Sequence, residues 1–198
     1  NKELMAKHGE EILKAAAAKG VDVFFEASVG GGIPIVRPLR ECLAGNKINK
    51  IMGIVNGTTN FILTRMSEAG GSFEAALKEA QSLGYAERDP TADIEGYDAA
   101  SKIAILASIA FNCRVIFEDV HKEGISGVMI TDIIYANEMG YVLKLIALAK
   151  EEDSGLDIRV HPMMIPKEHP LAAVSGVFNA IFVEGDAVGE VMFFGEGA

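Results

Sequence analysis

Between Ala99 and Cys113 the chain reads Ala-Ala-Ser-Lys-Ile-Ala-Ile-Leu-Ala-Ser-Ile-Ala-Phe-Asn-Cys, and Lys102 is its one charge. A helix exposed along one side carries a polar stripe, and this one has none, so it must be buried around most of its circumference. A helix of that kind requires packed elements on several sides. It also places an ammonium in apolar surroundings, where an unpaired charge is expensive. Asp98 stands four residues earlier on the same face and can pair with it. A pocket lysine beside a carboxylate can donate a proton to a carbonyl oxygen. The competing reading is a solvated i,i+4 ion pair, worth a few tenths of a kcal/mol. Burial would lower the lysine pKa and the carboxylate would raise it, and the sequence leaves open which wins.

The elements around this helix follow from periodicity. Leu4, His8, Ile12 and Ala15 or Ala16 recur at helical spacing, and Gly20 ends that run. Val21 to Ala27 has strand composition, Gly30-Gly31-Gly32 is a sharp loop, and Pro34 suits the first turn of a helix reaching Ala44. Lys47 to Val55 reads as a strand and Thr58 to Glu68 as a helix. Ser72 is an N-cap for a helix ending near Leu83, with Gly84 as its stop. The buried helix spans Gly96 to Phe111, and Ile133 to Lys150 gives a long helical pattern. Leu156 to Met164, Gly176 to Glu184 and Val188 to Phe194 read as three strands. The fold class is therefore α/β, with α+β character: a mixed sheet covered by helices on at least one face.

Composition narrows the function. The formal net charge is −10 with no Lys/Arg run, which argues against tracking nucleic-acid phosphates. The longest uncharged stretches, Ile51 to Thr64 and Pro170 to Val183, run to roughly 14 residues, too short to span a bilayer. Cys42 and Cys113 have no CxxC spacing and read as buried or semi-buried thiols of a cytoplasmic protein. His8, His121, His161 and His169 lack zinc-ligand spacing.

Upstream of the buried helix lies an acidic, turn-rich loop, Gly84-Tyr85-Ala86-Glu87-Arg88-Asp89-Pro90-Thr91-Ala92-Asp93-Ile94-Glu95. Such loops are often solvated connections. Here Glu87, Asp93, Asp98 and Lys102 gather at the helix entry, where carboxylates could hold an amino-acid ammonium. From Ala80 through Gly84, Tyr85, Ala86, Asp89, Pro90, Asp93, Ile94, Gly96 and Asp98 to Lys102, the segment resembles the signature of homoserine dehydrogenases at every fixed position. Asn1-Lys2 resembles the family's "ANK" segment, Glu26 to Pro34 its glycine loop, and Asn56-Gly57-Thr58-Thr59-Asn60 its "NGTTN" turn. The resemblance covers nearly the whole chain, in order.

The resemblance implies an NAD(P)-dependent oxidoreductase interconverting L-homoserine and L-aspartate 4-semialdehyde, in threonine and methionine biosynthesis. By position, Lys102 is its acid/base lysine and Lys2 its second active-site lysine, near cofactor and substrate. Glu87 and Asp98 bind homoserine, with Asp93, Thr58 and Tyr85 lining the pocket; Gly84 and Gly197 approach the cofactor. A sodium ion held by backbone carbonyls maps onto Glu26, Val29, Gly31 and Ile33, although a simple tight turn explains that loop equally well. The resemblance further implies residues 1–28 as the end of a nucleotide-binding domain, 29–185 as the catalytic and dimerisation domain, and 186–198 as a return segment. The family's Gly-rich βαβ fingerprint for pyrophosphate has no counterpart in this chain. A cytoplasmic homodimer or higher homo-oligomer is expected, with no nucleic-acid or membrane partner. One rival is an aspartate-semialdehyde dehydrogenase, which needs a cysteine nucleophile beside a histidine. The other is a non-catalytic dimerisation or amino-acid-sensing module, against which Lys2 and Lys102 argue.

Overall fold

Strand side chains alternate between the two faces of a sheet, and here that alternation divides the core in two. The computed structural model describes residues 1–197. Its six strands are β1 (Ile48–Ile54), β2 (His121–Lys122), β3 (Tyr141–Glu152), β4 (Gly155–Pro166), β5 (Phe178–Gly185) and β6 (Gly189–Glu196). They lie in the order β2-β4-β3-β1-β5-β6. All neighbours are antiparallel except β2 and β4. The helices are α1 (Lys2–Lys19), α2 (Gly57–Ala69), α3 (Phe73–Ser82), α4 (Thr91–Ile94), α5 (Tyr97–Ala110) and α6 (Ile130–Glu138). The expected mixed sheet under helices is what the chain forms.

On one face Ile51, Leu145, Ala147, Ala149, Val160, Ile181 and Val183 pack with residues of α2 and α5. The α5 helix lies against β1, β3 and β4. It buries Ala99, Ala100, Ser101 and every residue from Ile103 to Ala107, as its lack of a charged stripe requires. On the other face Met52, Ile54, Ile146, Leu148, Ile165, Ala180 and Phe182 are closed only by Leu171 and Val174 from a short turn.

Five local readings differ from the structure. Ile133 to Lys150 is not one helix: α6 ends at Glu138, Gly140 takes φ 85°, and β3 begins at Tyr141. β3 is apolar on both faces because it sits at the centre of a sheet covered on both sides, so it has no period-2 signal to read. Val21 to Ala27 forms no strand; it has no ladder partner, Phe24 is 91 % exposed, and a 3-10 turn begins at Glu26. The helix expected from Pro34 is shorter, with a π turn over Pro38–Cys42. The acidic loop also holds a single helical turn, α4, where its composition reads as irregular. Cys42 and Cys113 are exposed rather than buried or semi-buried: Cys42 closes the π turn, in which Leu39 is the buried residue, and Cys113 lies beyond the end of α5.

Candidate active site

The end of β1 delivers Val55 and Asn56 to the point where α2 and α5 begin. Asn56 is the N-cap of α2, its Oδ1 accepting from the Thr59 amide at 2.9 Å. That use of the oxygen leaves the Nδ2 group free to donate elsewhere. It donates to Asp93 Oδ1 at 2.7 Å and to Asp98 Oδ2 at 2.9 Å. Asp98 lies in the first turn of α5, which starts after Gly96 in the left-handed conformation. A Cβ on Gly96 would lie 3.0 Å from the Val160 side chain, so glycine suits this entry twice over.

One turn into α5, Lys102 donates from Nζ to Asp98 Oδ2 at 2.7 Å and to the Val55 carbonyl at 2.6 Å. The Lys2 ammonium stands 2.6 Å from the other oxygen, Asp98 Oδ1. Two cations thus share one carboxylate. Asp98 is 6 % exposed, Lys102 12 % and Lys2 40 %, so the cluster is dry at Lys102 and opens to solvent at Lys2. Burial pushes the Asp98 carboxyl up, but the Lys102 charge and the bonds from Asn56, Lys102 and Lys2 outweigh it and hold its pKa below the ordinary value. Burial likewise works to lower Lys2, and Asp98 overcomes it, leaving that ammonium above its ordinary value. The carboxylate is fixed ionised and Lys2 is fixed charged.

Around this centre, Thr58 Oγ1 donates to the Tyr85 carbonyl at 2.6 Å, and the Tyr85 ring tilts against Phe61 with centroids 5.0 Å apart. Gly84, at φ 79°, has open space where a Cβ would sit. Glu87 is exposed, and its carboxylate forms no ion pair among the described residues.

The glycine loop lies elsewhere, against the end of the chain. Gly32 donates its amide to the Glu196 carbonyl at 3.3 Å, and Gly197 approaches Asn179 more closely than any Cβ would allow. The Glu26 carboxylate accepts from the amides of Ile35, Val36 and Arg37 at 2.6, 2.7 and 2.8 Å. The carbonyls of Val29, Gly31 and Ile33 accept no hydrogen bond among the described residues, whereas that of Glu26 accepts from Val29 at 3.3 Å. Two clefts, of about 580 and 690 Å³, flank α1 rather than the lysine pair. The first is a mainly apolar groove between α1 and the end of α5, edged by the Glu10 ion pairs with Lys14 and Arg114 and containing neither Lys2, Asp98 nor Lys102.

The family model for homoserine dehydrogenase matches residues 34–198. The chain belongs to the homoserine dehydrogenase family. A homoserine dehydrogenase of Synechocystis is 54 % identical over the whole chain, which spans 47 % of that protein; one of Bacillus subtilis is 52 % identical, with 46 % spanned. A crystal structure of a homoserine dehydrogenase from Thiobacillus denitrificans superposes on the whole chain with TM-score 0.98 at 52 % identity, the chain covering 46 % of it. A hyperthermophilic archaeal homoserine dehydrogenase mutant in complex with NADPH superposes with TM-score 0.86 at 34 % identity, with 57 % covered. The chain therefore spans about half the length of the curated homoserine dehydrogenases it matches.

Of the residues singled out in the sequence, Lys2, Asp93, Asp98 and Lys102 converge through direct contacts or through Asn56. Thr58, Tyr85 and Gly84 form a neighbouring wall. Glu26, Val29, Gly31 and Ile33 form a separate loop, which Gly197 approaches from the chain end. Asn56, the hub of this cluster, stands in the sequence only as part of a turn motif. Its signal was present: an Asn before a helix caps with its oxygen and leaves two N–H groups to spend on neighbouring acids.

Proposed function

We propose that the chain forms the catalytic half of an enzyme that interconverts L-homoserine and L-aspartate 4-semialdehyde with NAD(P), a step toward threonine and methionine in the cytoplasm. The observation that carries the reading is the pair of lysines on opposite oxygens of one buried carboxylate. The nicotinamide supplies or accepts the hydride at the substrate carbon. Lys102 Nζ donates the proton that the aldehyde oxygen takes up on reduction, and removes it from the hydroxyl in the reverse direction. Asp98 keeps the amine oriented, as does the Val55 carbonyl. The fixed charge of Lys2 stabilises negative charge developing on the same oxygen. Asp98 and Glu87 bind the homoserine ammonium, while Asp93, Thr58 and Tyr85 line the pocket.

Lys2, half-exposed beside the cluster, and Gly84, with nothing over its α-carbon, fit the nicotinamide side of a cofactor, and Gly197 stands at its far edge. A parallel βαβ unit with a Gly-rich turn, the usual cradle for a pyrophosphate, is absent among the described residues. The expected result is weak NADP binding by residues 1–198 alone, and Kd measured by calorimetry checks it. Residues 1–28 then belong to the nucleotide side and 29–185 to the catalytic domain, with 186–198 a return segment that first adds β6 to the catalytic sheet. The three free carbonyls of Val29, Gly31 and Ile33, with Glu26, fit a sodium ion, which prefers a ring of neutral oxygens. Homodimerisation through the sheet face left open by the helices is favoured by Phe178, Met192 and Phe194, apolar side chains that remain 37 %, 39 % and 54 % exposed there.

The test is homoserine-dependent NAD(P) reduction by residues 1–198 joined to a homologous nucleotide-binding unit. Activity with homoserine is expected, and it should be lost with Lys102→Ala. No turnover of homoserine, or full activity in that variant, would refute the reading.

A further inference from the structure

Lys144 on β3 is 3 % exposed, and the mechanism above does not use it. Its Nζ donates to Asn60 Oδ1 at 3.0 Å and to the Val174 carbonyl at 2.5 Å. On the remaining sides, β4 presents Met163 opposite it, and Glu68 on α2 is the charge whose field reaches it. Burial pushes its pKa down to about 8. A charged amine held by neutral oxygens in a core is costly where a methionine would pack, so its presence needs a reason other than stability.

Asn60 supplies that reason. Its Nδ2 donates to the carbonyls of Val174 and Phe178 at 3.3 and 3.0 Å, and its backbone N–H donates to the Asn56 carbonyl at 3.2 Å. The same connection between β4 and β5 touches α2 twice more. The Gly176 amide donates to Thr64 Oγ1 at 3.2 Å, and a Cβ on Gly57 would stand 2.7 Å from the Val177 carbonyl. The start of α2 is therefore seated directly on this connection, and the residue just before that seat is Asn56, whose amide holds Asp98.

We infer that Lys144 is a positioning residue: its ammonium ties the first turn of α2 to the β4–β5 connection and thereby holds the Asn56 amide against Asp98. The consequence for turnover rests on the proposed homoserine dehydrogenase mechanism, but the positioning itself is measurable without turnover. In Lys144→Met, which keeps the apolar stem, carbon-13 NMR of the Asp98 carboxyl should show its midpoint rising toward the ordinary value as the Asn56 contact loosens. An unchanged Asp98 midpoint overturns the inference. Should that variant not fold, the unaltered protein answers: the Asn56 side-chain amide signals should follow the Lys144 ε-carbon with one midpoint near pH 8. Asn56 signals that stay flat while Lys144 titrates overturn it equally.

In the enzyme joined to its nucleotide-binding unit, Lys144→Met should lower kcat on the order of tenfold with KM for the cofactor unchanged. Asn60→Ala should do the same, and the double variant should be no slower than either single one. Additive losses would mean that Lys144 does not act through Asn60. If Asp98 shifts in Lys144→Met but even the unaltered enzyme leaves homoserine untouched, the positioning holds and the assigned reaction fails.

Discussion

One side-chain amide and one carboxylate organise the cluster, and both make predictions of their own. Asn56→Ala removes an N-cap, a loss of about 1 kcal/mol, and takes one of two hydrogen bonds from Asp98 Oδ2, leaving that of Lys102. Denaturant unfolding should show that loss, with a larger fall in activity than in stability. Asp98 has a folded-state pKa below its ordinary value of 3.8, so its stabilising contribution is present above that pH and is lost as pH falls below it. Circular dichroism from pH 7 to 2 should show a shallower acid decline for Asp98→Asn than for the unaltered chain. Lys144 works in the opposite sense. It binds its proton less tightly folded, at about 8, than unfolded, at 10.5. The unfolded chain then holds more protons in that window, and stability should rise between pH 8 and 10 by up to about 3 kcal/mol. Lys144→Met should flatten that rise. The pairing of Lys102 with Asp98 was legible from a lone charge in an apolar helix with an acid four residues before it. The hub role of Asn56 and the burial of Lys144 were not, because both depend on which strand ends meet which helix starts.

Helices announced themselves where their faces differ or their ends are marked. Ser72 caps α3 by accepting from the Ala75 amide at 3.3 Å, and α5 runs over nearly the span its composition dictated. Ile103, fully buried at the centre of α5, packs into the core between helix and sheet, and Ile103→Ala should cost about 2–5 kcal/mol in chemical denaturation. A smaller cost would mean that α5 is less enclosed than described. β3 was hidden by the same physics that makes it central. A strand buried on both faces loses its alternation, and the Leu and Ala of Leu143 to Ala149 favour a helix until pairing with β4 and β1 overrides them. Val21 to Phe25 shows the converse. Strand composition makes no strand without a neighbouring edge to pair with, and the sheet ends at β2 and β6.

At the scale of the molecule, one sheet serves two purposes. Its helix-covered face brings the ends of β1, α1 and α5 together at Asp98, while its other face keeps an apolar strip beside the 170–174 turn. If that strip is a subunit interface, Phe194→Lys should shift the sedimentation coefficient toward the monomer and leave the fold intact. The membership of the chain in the homoserine dehydrogenase family rests on its whole length, whereas the chemistry rests on a few atoms around one carboxylate. The proposed chemistry is tested most directly by single-turnover reduction of aspartate semialdehyde with NADPH in the chain joined to a nucleotide-binding unit, comparing Lys102→Met with the unaltered sequence. Loss of a proton donor should slow the hydride step by about 10²–10⁴-fold while substrate affinity changes little. An unchanged single-turnover rate would contradict the account, since the buried ammonium would then stand beside the reaction without taking part in it.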